Sequence, residues 1–399
     1  MDAAHSPLNE GAGDEFLARA QAMLPKLAAR AAEAEKARQL PSETVAELKQ
    51  AGFFRMLQPK RWGGFECDPG RFYDVQMTIA SACPSTAWVL GVVTVHNWQL
   101  ALFAEAAQEE VWSADRDTLI SSSYAPTGKC ERADGGYKIS GRWSFSSGCD
   151  HCQWVFLGGL VPSEKEGGPP EMLTFLVPRR DYKIEDTWFV SGLRASGSKD
   201  IVIDGAFVPE HRTHKVMDGY RRNSPGNELN TAPLYRLPFG QVFVRSVSTS
   251  AIGMAQGALD AFNGVAAKRI AASTGTKISD DPAAQMVSAR AASTIDEVKL
   301  VLHRNFDEMM ALVRAGKEIP IERRLHFRYD SSNAVVKCAA VIDELFTASG
   351  GRAIFLESPM NRFFQDVHAA RAHYANNPDK PGRNWGGVQL KLKNTDYFV

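Results

Sequence analysis

The residue pattern of this chain changes twice, and the two changes set its fold class. From about residue 14 to 107, Ala, Leu, Glu and Lys dominate and apolar residues recur at intervals of three and four, which is typical of amphipathic helices. Near Leu119, Ser, Thr, Gly and aromatic residues take over and apolar residues begin to alternate, which is typical of strands. From Phe239 the helical pattern returns. This order predicts an α+β chain with an N-terminal helical domain (1–115), a central β domain (116–217) and a C-terminal helical bundle (218–399).

Turn and breaker residues divide these regions into elements. Asp134-Gly135-Gly136 predicts a hairpin turn between strands at 129–133 and 137–140. Further strands are predicted at 154–157, 173–177, 183–189 and 201–207, and long helices at 247–267, 283–315, 324–348 and 361–374. Polar composition predicts a mobile loop or lid at 219–232 and an irregular tail at 381–387.

The charge balance argues against some classes of partner. Lys plus Arg and Asp plus Glu number 46 each, so no overall field draws the chain to nucleic acid or to an anionic membrane, and a small ligand is expected. The apolar region 77–107 is interrupted by Pro84, His96, Asn97 and Gln99, which indicates buried helices instead of a membrane span. Because residues 1–7 lack the basic and apolar stretch of a targeting signal, we expect a cytoplasmic protein.

The six cysteines predict neither a disulfide framework nor a metal site. Cys149-Asp-His-Cys152 has the spacing of half a zinc site, but the nearest further candidates, Cys130 and His211, do not complete it. Buried thiols in or beside a strand are therefore expected, without a bound metal.

The segment 350–374 carries three residues that can handle protons. Asp366, His368 and His373 are predicted on one late helix, where Asp366 and His373 are about two turns apart and share a face, whereas His368 points elsewhere. His titrates near neutral pH, which suits a general acid or base. Polar residues on a solvated helix face are the competing interpretation.

Several motifs resemble those of the acyl-CoA dehydrogenase fold. The segment 40–59, closed by Trp62-Gly63-Gly64, is similar to the N-terminal signature of that superfamily, and 192–198 leading to Phe207-Val208-Pro209 is similar to the end of its β domain. Residues 136–143 with Ser147-Gly148 resemble its flavin hairpin. The resemblance covers nearly the whole chain and implies a β-barrel-like central domain and a C-terminal four-helix bundle.

One departure separates the chain from the dehydrogenases of this superfamily. Those enzymes commonly remove the α-proton with a Glu shortly after the Arg-Asp of the last long helix, where this chain has Tyr374, and no Glu follows Glu357. The pattern instead resembles the oxygenase components of two-component flavin monooxygenases, in particular the p-hydroxyphenylacetate hydroxylases and the phenolic secosteroid hydroxylase of bacterial steroid degradation. An acyl-CoA dehydrogenase, a sulfur- or nitrogen-oxygenating enzyme and a flavin-storage protein of the same fold remain as alternatives.

The resemblance assigns roles to individual residues. In those oxygenases one His of the N-terminal helices, Ser residues of the β domain and one His of the last helix surround the flavin and the substrate. The matching residues are His96 in Val95-His-Asn-Trp98, Ser122 in Ser121-Ser-Ser-Tyr124, Ser147 in 143–148, and His373. The candidate catalytic residues are therefore His96, Ser147, Asp366, His368 and His373. The substrate-binding candidates are His96, Trp98, Ser122, Tyr235 and Phe239, and the cofactor-binding candidates are Ser122, Trp143, Ser147, Arg194, Ser196, Ser198, Gly350 and Gly351.

The expected chemistry is electrophilic attack of a flavin hydroperoxide on a phenol, ortho to its hydroxyl. His96 is expected to favour the phenolate as a base with a near-neutral pKa, with Ser122 near the phenolic oxygen. Ser147 is the expected donor to the flavin ring and His373 is expected to steer the distal oxygen in a dry pocket. Arg221 and Arg222 are candidates for meeting a substrate carboxylate.

The sequence contains neither Gly-x-Gly-x-x-Gly nor a phosphate-binding Gly-Lys-Ser/Thr motif, so no nicotinamide site is expected. The resemblance implies reduced flavin (FMNH2 or FADH2) and O2 as cofactors. It also implies a separate NAD(P)H-dependent flavin reductase, a homotetramer, and a phenolic secosteroid as the best candidate substrate. The candidates for the flavin phosphate are Arg194, Ser196, Ser198 and Lys199. Trp143 is expected over the ring, and Gly350 and Gly351 are expected where the backbone approaches the cofactor.

Overall fold

The structure is a computed structural model that describes residues 10–163, 165, 167–270 and 275–399. Residues 1–7, on which the expectation about targeting depends, lie outside the described residues. The N-terminal region is helical. Its helices are α1 (Glu10–Ala37), α2 (Ser42–Gln50), α3 (Pro69–Ala80), α4 (Pro84–Leu100) and α5 (Glu105–Trp112).

Helix α4 is the central element of this region. All 17 of its residues are buried, which is the behaviour of a helix that is apolar on every side. It begins with Pro84 in the first turn, where proline is well tolerated. The buried position of α4 brings His96 into the middle of the protein.

The central region contains eight strands in two four-stranded sheets. The strands are β1 (Ile120–Ser123), β2 (Lys129–Ala133), β3 (Gly136–Ser146), β4 (Trp154–Val161), β5 (Glu171–Pro178), β6 (Lys183–Glu185), β7 (Lys199–Pro209) and β8 (Thr213–Lys215). One sheet has the order β1-β4-β5-β8, with β1 parallel to β4, and the other has the order β2-β3-β7-β6. The described strands form two four-stranded sheets and no closed barrel, so the barrel-like detail of the prediction is not confirmed.

The strand predictions differ from the structure at several ends. The predicted hairpin joins β2 to β3, with Ala133 opposite Gly136. Strand β3 is longer than predicted, β6 ends at Glu185 instead of 189, and β1 and β8 were not predicted. The pairing of β3 with β7 shifts register between Trp143 and Ser146, which interrupts the alternation of side chains just before the candidate site.

The C-terminal region is helical, and its main helices pack on one another. Its helices are α6 (Val216–Arg221), α7 (Phe239–Ala266), α8 (Pro282–Arg314), α9 (Ile321–Ser349), α10 (Pro359–Arg371) and α11 (Asp379–Gln389). Helix α9 packs against α7, α8, α10 and α11. The prediction of an irregular tail at 381–387 is wrong, because these residues belong to α11.

The segment 219–232, predicted as a mobile loop or lid, makes hydrogen bonds to the end of α4. The segment is partly helical, and a capping box between Ser224 and Asn227 orders its middle. Asn230 donates to the Ala101 carbonyl and the Gly226 amide donates to the Leu102 carbonyl, so the segment is fastened to the end of α4. Small polar residues gave it the composition of a loop, but their side chains bond to buried backbone groups.

The described residues form two hydrophobic cores. One core joins the N-terminal and C-terminal helices, and a smaller one lies within the β region around Trp143 and Phe175. Among the described residues, no helix combines the length and the apolar character needed to cross a lipid bilayer.

Candidate active site

His96 is held in a single tautomer by the backbone of the neighbouring strand. Its Nδ1 lies 2.6 Å from the carbonyl oxygen of Ile120, at the start of β1. A carbonyl oxygen can only accept a hydrogen bond, so Nδ1 carries the proton and Nε2 is an acceptor. Nε2 is buried and has no hydrogen-bond partner among the described residues. Burial lowers the pKa of His96 to about 4, against the effect of the Ile120 carbonyl, so the ring is neutral at pH 7.

An aromatic cluster lies beside His96. The Tyr124 ring contacts the edge of His96 at 6.1 Å between centroids and also contacts Phe243 at 5.2 Å and Phe239 at 5.7 Å. Phe398 lies 5.8 Å from both phenylalanines. The aromatic cluster is defined here as Trp98, Tyr124, Phe239, Phe243 and Phe398. It gives the surroundings of His96 a mainly apolar character.

Ser122 lies on β1 between His96's carbonyl partner and Tyr124. Its half-buried hydroxyl interacts with the hydroxyl of Tyr124, which also donates to the Gln99 side chain. Burial raises the pKa of Tyr124 far above its usual value, so the phenol stays protonated. The structure thus places Ser122 beside Tyr124, on the strand whose first carbonyl contacts His96.

His373 is held in the opposite tautomer. Its Nδ1 accepts a hydrogen bond of 3.1 Å from the Ala375 amide, so the proton of the neutral ring is on Nε2. The ring contacts Trp88 at 5.6 Å and Phe243 at 6.4 Å, which links it to the aromatic cluster. Burial lowers the pKa of His373 to about 4, and the positive charge of Arg328 acts in the same direction. His373 therefore presents a donor, whereas His96 presents an acceptor.

Asp366, His368 and His373 were predicted on one helix, but the structure does not place all three on the same helix. Helix α10 ends at Arg371, because Asn376 donates to the Ala370 carbonyl and His373 begins a separate turn. Asp366 lies inside α10, and His368 pairs with Asp343 of α9 at 2.8 Å. The structure brings His373 to the aromatic cluster but does not bring His368 there.

Ser147 follows β3 and lies in a short chain of hydroxyl groups. Its Oγ accepts from Trp88 Nε1 at 3.1 Å and lies 2.7 Å from Ser198 Oγ. Ser198 Oγ in turn lies 2.7 Å from Ser196 Oγ. Trp88 also contacts the ring of His373, so the three serine hydroxyls are linked through Trp88 to this histidine.

Asp366 anchors the segment that carries these hydroxyls. Its Oδ1 accepts from the Leu193 amide, and Leu193 has a left-handed backbone with φ of 51°. Gly192 packs so closely on α10 that a Cβ there would lie 2.1 Å from the Gln365 carbonyl. Burial raises the pKa of Asp366 to about 7, assisted by the nearby charge of Glu35. Asp366 is therefore a structural partner of the 192–198 segment in the described contacts.

Trp143 and the nearby Phe145 differ sharply in exposure. Trp143 is fully buried in the core of the β region, and its Nε1 donates to the Gly158 carbonyl at 2.8 Å. Phe145 is 70% exposed and has a left-handed backbone with φ of 70°, which is rare for a bulky residue. Phe145 lies within the register shift between Trp143 and Ser146, and its exposed ring is two residues before Ser147.

The polar groups of two substrate-binding candidates are already occupied. Trp98 Nε1 donates to the Leu234 carbonyl and the Tyr235 hydroxyl donates to the Leu57 carbonyl, each at 3.0 Å. Both side chains are fully buried. Trp98 contributes through its stacking on Phe239, whereas Tyr235 serves to hold the fold together.

The remaining cofactor candidates lie in two places. Arg194 belongs to the turn that includes Ser196, near the carboxyl groups of Asp366 and Glu35. Gly350 and Gly351 lie in the exposed connection between α9 and α10, and a Cβ at either would meet no atom within 4 Å. The structure does not bring the two glycines to the cluster formed within one chain.

Sequence reasoning missed Trp88 and Phe145 as residues near the candidate site. Trp88 lies eight residues before His96 in a helix whose apolar residues gave no directional signal. Phe145 lies at the register shift between Trp143 and Ser146, which no local sequence motif predicts.

The cysteine motif has the expected surroundings. Cys149 and Cys152 are buried free thiols, and burial raises the pKa of both. His151 contacts the Leu40 carbonyl at 3.0 Å instead of a thiol. Within the described part of the chain, no three His, Cys, Asp or Glu side chains gather as a metal site would require.

Comparison with known proteins shows the family. The model of the acyl-CoA dehydrogenase N-terminal domain matches residues 14–115, and that of the C-terminal domain matches residues 246–378. The chain is 44% identical over 382 residues to the flavin-dependent monooxygenase, oxygenase subunit HsaA, of Rhodococcus jostii (strain RHA1), covering 96% of this chain and all of that protein. The chain belongs to the oxygenase components of the flavin-dependent monooxygenases.

Two further similarities agree with this family. The FADH2-dependent resorcinol hydroxylase, oxygenase component, of Rhizobium sp. (strain MTP-10005) is 33% identical, with 91% of each chain covered. The crystal structure of 3-HSA hydroxylase from Rhodococcus sp. RHA1 superposes with a TM-score of 0.93 at 44% identity, covering 96% of this monooxygenase and 99% of that chain. The predicted acyl-CoA dehydrogenase-like fold and the predicted flavin-dependent hydroxylase activity are confirmed, and the monooxygenase uses reduced flavin and O2.

Proposed function

We propose that this monooxygenase hydroxylates a bulky, apolar phenol at the carbon ortho to its hydroxyl, and that a phenolic secosteroid is its substrate. The observation that carries this proposal is the buried, unpartnered Nε2 of His96 beside the aromatic cluster. A buried acceptor without a partner costs about 1–3 kcal/mol, and a phenolic hydroxyl would supply the missing donor. The similarity to 3-HSA hydroxylase supports a ring system of secosteroid size.

The residues around Ser147 fit a flat cofactor with polar atoms at its edge. Phe145 offers an exposed aromatic face, and the Ser147 hydroxyl offers a hydrogen bond two residues further on. When bound, the reduced flavin reacts with O2 and supplies one oxygen atom to the substrate. We assign Phe145, in place of Trp143, to covering the ring, and Ser147 to the ring's polar edge.

His96 is assigned to the phenolic hydroxyl as a hydrogen-bond acceptor. With a pKa of about 4 in the absence of ligand, the ring is too weak a base to hold the proton of a phenol, whose pKa is about 10. The expected near-neutral base is therefore replaced by an acceptor that polarises the hydroxyl and takes its proton as the aromatic ring is attacked. Ser122, on the adjoining strand, is the second group assigned to the phenolic oxygen.

His373 is assigned to donate from Nε2 toward the oxygen that is being transferred. The Ala375 amide keeps Nδ1 occupied, so only Nε2–H is available. A low pKa keeps the ring neutral, which supplies a hydrogen bond without a mobile acidic proton. The two histidines therefore suit a reaction in which one protein group accepts a proton from the phenol and another donates a hydrogen bond to the transferred oxygen.

The substrate end of the proposed site favours an apolar ligand over a carboxylate. Phe239, Phe243 and Phe398 present rings there. Of the two arginines expected to meet a carboxylate, Arg222 pairs with Glu318 and Arg221 is exposed at the end of α6. This arrangement supports a secosteroid more than a hydroxyphenylacetate.

As an oxygenase component, the chain depends on another protein for reduced flavin. We assign this supply to a separate NAD(P)H-dependent flavin reductase. We also propose a homotetramer, supported by exposed apolar residues in the connection after α9. These residues are Ile354, Phe355 and Leu356, which are 65%, 54% and 78% exposed. Contact between copies there would bring Gly350 and Gly351 to a neighbouring subunit.

The proposal is tested with a purified flavin reductase, NADH, either FMN or FAD, and a 3-hydroxyphenyl secosteroid under ¹⁸O2. The expected product carries one ¹⁸O next to the original hydroxyl. p-Hydroxyphenylacetate is the matched small phenol with a carboxylate, and it should be hydroxylated more slowly. Efficient turnover of p-hydroxyphenylacetate without turnover of the secosteroid would contradict the substrate assignment. Loss of flavin absorbance on addition of acyl-CoA to the oxidised complex would instead identify a dehydrogenase.

A further inference from the structure

We propose that Ser196 and Ser198 are positioning residues that act through Ser147 by fixing the direction in which its hydroxyl donates. This inference rests on the proposed role of Ser147 at the flavin ring. It replaces the expectation that Ser196 and Ser198 contact the flavin phosphate. The two side chains are then assigned to the edge of the flavin ring and not to the flavin phosphate.

The three hydroxyls form a buried row. Ser147, Ser198 and Ser196 are 8%, 4% and 1% exposed, and both gaps between successive oxygens are 2.7 Å. The exposure falls steadily from Ser147 to Ser196, so Ser147 is the end nearest to a ligand. Ser196 Oγ has no hydrogen-bond partner other than Ser198 in the part of the chain that the structure describes.

Counting protons and lone pairs gives the row a direction. A hydroxyl donates once and accepts up to twice, and Trp88 Nε1 already donates to Ser147. If Ser196 did not donate to Ser198, its buried proton would have no acceptor, at a cost comparable to a lost hydrogen bond. Ser196 therefore donates to Ser198, and Ser198 in turn donates to Ser147. With both acceptor positions of Ser147 filled, its own proton is directed away from the row, toward a ligand.

The backbone keeps the row in place. The Gly148 amide donates to the Ser196 carbonyl at 2.8 Å, which ties the end of the hairpin to the 192–198 segment. Gly197, between the two serines, has a left-handed φ of 54° that favours glycine. Asp366 holds the start of the segment through the Leu193 amide. The hydroxyls are thus positioned by contacts that do not involve the cofactor.

The inference is tested by equilibrium binding of oxidised FMN and FAD, followed by flavin absorbance, in single and double variants. We expect Ser198→Ala to weaken binding about 3- to 10-fold, similar to Ser147→Ala, with a smaller effect for Ser196→Ala. Ser198→Thr keeps the hydroxyl and should retain wild-type affinity, whereas Ser198→Val, of the same shape, should not. Ser332→Ala, a buried serine that donates within α9, is the control for general loss of a buried hydroxyl.

The double variant distinguishes positioning from a separate contact. If Ser198 acts only through Ser147, then Ser147→Ala with Ser198→Ala should bind flavin no more weakly than Ser147→Ala alone. The fraction of consumed O2 released as hydrogen peroxide should rise in Ser198→Ala and Ser198→Val but not in Ser198→Thr. Additive losses of affinity, or equal behaviour of the Thr and Val variants, would overturn the inference. No effect of Ser147→Ala would instead contradict the proposed role of Ser147 itself.

Discussion

Two regions of the site use the same side chain for opposite purposes. We define the acceptor region as His96, Ser122 and Tyr124, and the donor region as Trp88, Ser147 and His373. In the acceptor region a strand carbonyl holds the His96 proton on Nδ1 and leaves Nε2 as acceptor. In the donor region a backbone amide occupies His373 Nδ1 and leaves the proton on Nε2. The comparison teaches that the backbone partner, and not the imidazole, decides what each histidine can do.

The two regions also differ in how they are held. His96 lies on a buried helix and its partner is 24 residues away, whereas the partner of His373 is two residues away in the same turn. Aromatic rings connect the two regions, from His96 through Tyr124 and Phe243 to His373. A substrate ring that lies in this cluster would meet an acceptor on one side and a donor on the other.

The largest expected effect is loss of the acceptor. His96→Ala should lower the rate of hydroxylation about 100- to 10,000-fold, the usual contribution of a general base. Flavin affinity should remain within about twofold of wild type, since the role assigned to His96 is at the phenol. Product formation and flavin titration measure the two quantities. A large loss of flavin affinity with normal turnover would place His96 in the donor region.

Loss of the donor should change the fate of oxygen more than its consumption. We expect His373→Ala to raise the ratio of hydrogen peroxide to hydroxylated product about tenfold, because a single hydrogen bond is removed. His368→Ala is the matched control, since His368 lies on the preceding helix and pairs with Asp343 outside the cluster. Equal peroxide ratios in the two variants would show that His373 is no donor to the transferred oxygen.

Phe145→Ala tests whether the donor region extends to the exposed ring of Phe145. Removing an exposed ring from the proposed flavin surface should weaken flavin binding about 3- to 10-fold, with little change in thermal stability. Phe189→Ala is the matched control, because Phe189 is also exposed but lies under Arg38. Unchanged flavin affinity in Phe145→Ala would contradict the assignment of Phe145 to covering the flavin ring.

The smallest effect is expected at the anchor of the donor region. Burial raises the pKa of Asp366 to about 7 from its ordinary value near 4, so the folded state holds a proton that the unfolded state releases. This stability is present at low pH and is lost as pH rises through about 7. Asp366→Asn cannot ionise and should gain a few degrees in Tm relative to wild type between pH 5 and pH 8. A Tm difference that does not change with pH would contradict the raised pKa.

Much of the fold could be predicted from the sequence, because helix and strand periodicities are local. The site could be predicted only in part. The end of α10 depends on Asn376, which donates to the carbonyls of Ala370 and Val247, and the second of these is 129 residues away. The tautomer of His96 depends on a strand that the sequence pattern did not reveal. The exposure of Phe145, close to the buried Trp143, accompanies a register shift between β3 and β7. Each miss involves a backbone contact between elements that are distant in sequence.

The most direct test of the opposed histidines is ¹⁵N NMR of the histidine-labelled protein at pH 7.5, with His96→Gln and His373→Gln variants to assign the signals. The account predicts a neutral His96 with its proton on Nδ1 and a neutral His373 with its proton on Nε2. Two histidines in the same tautomer, or either one as imidazolium at that pH, would contradict it.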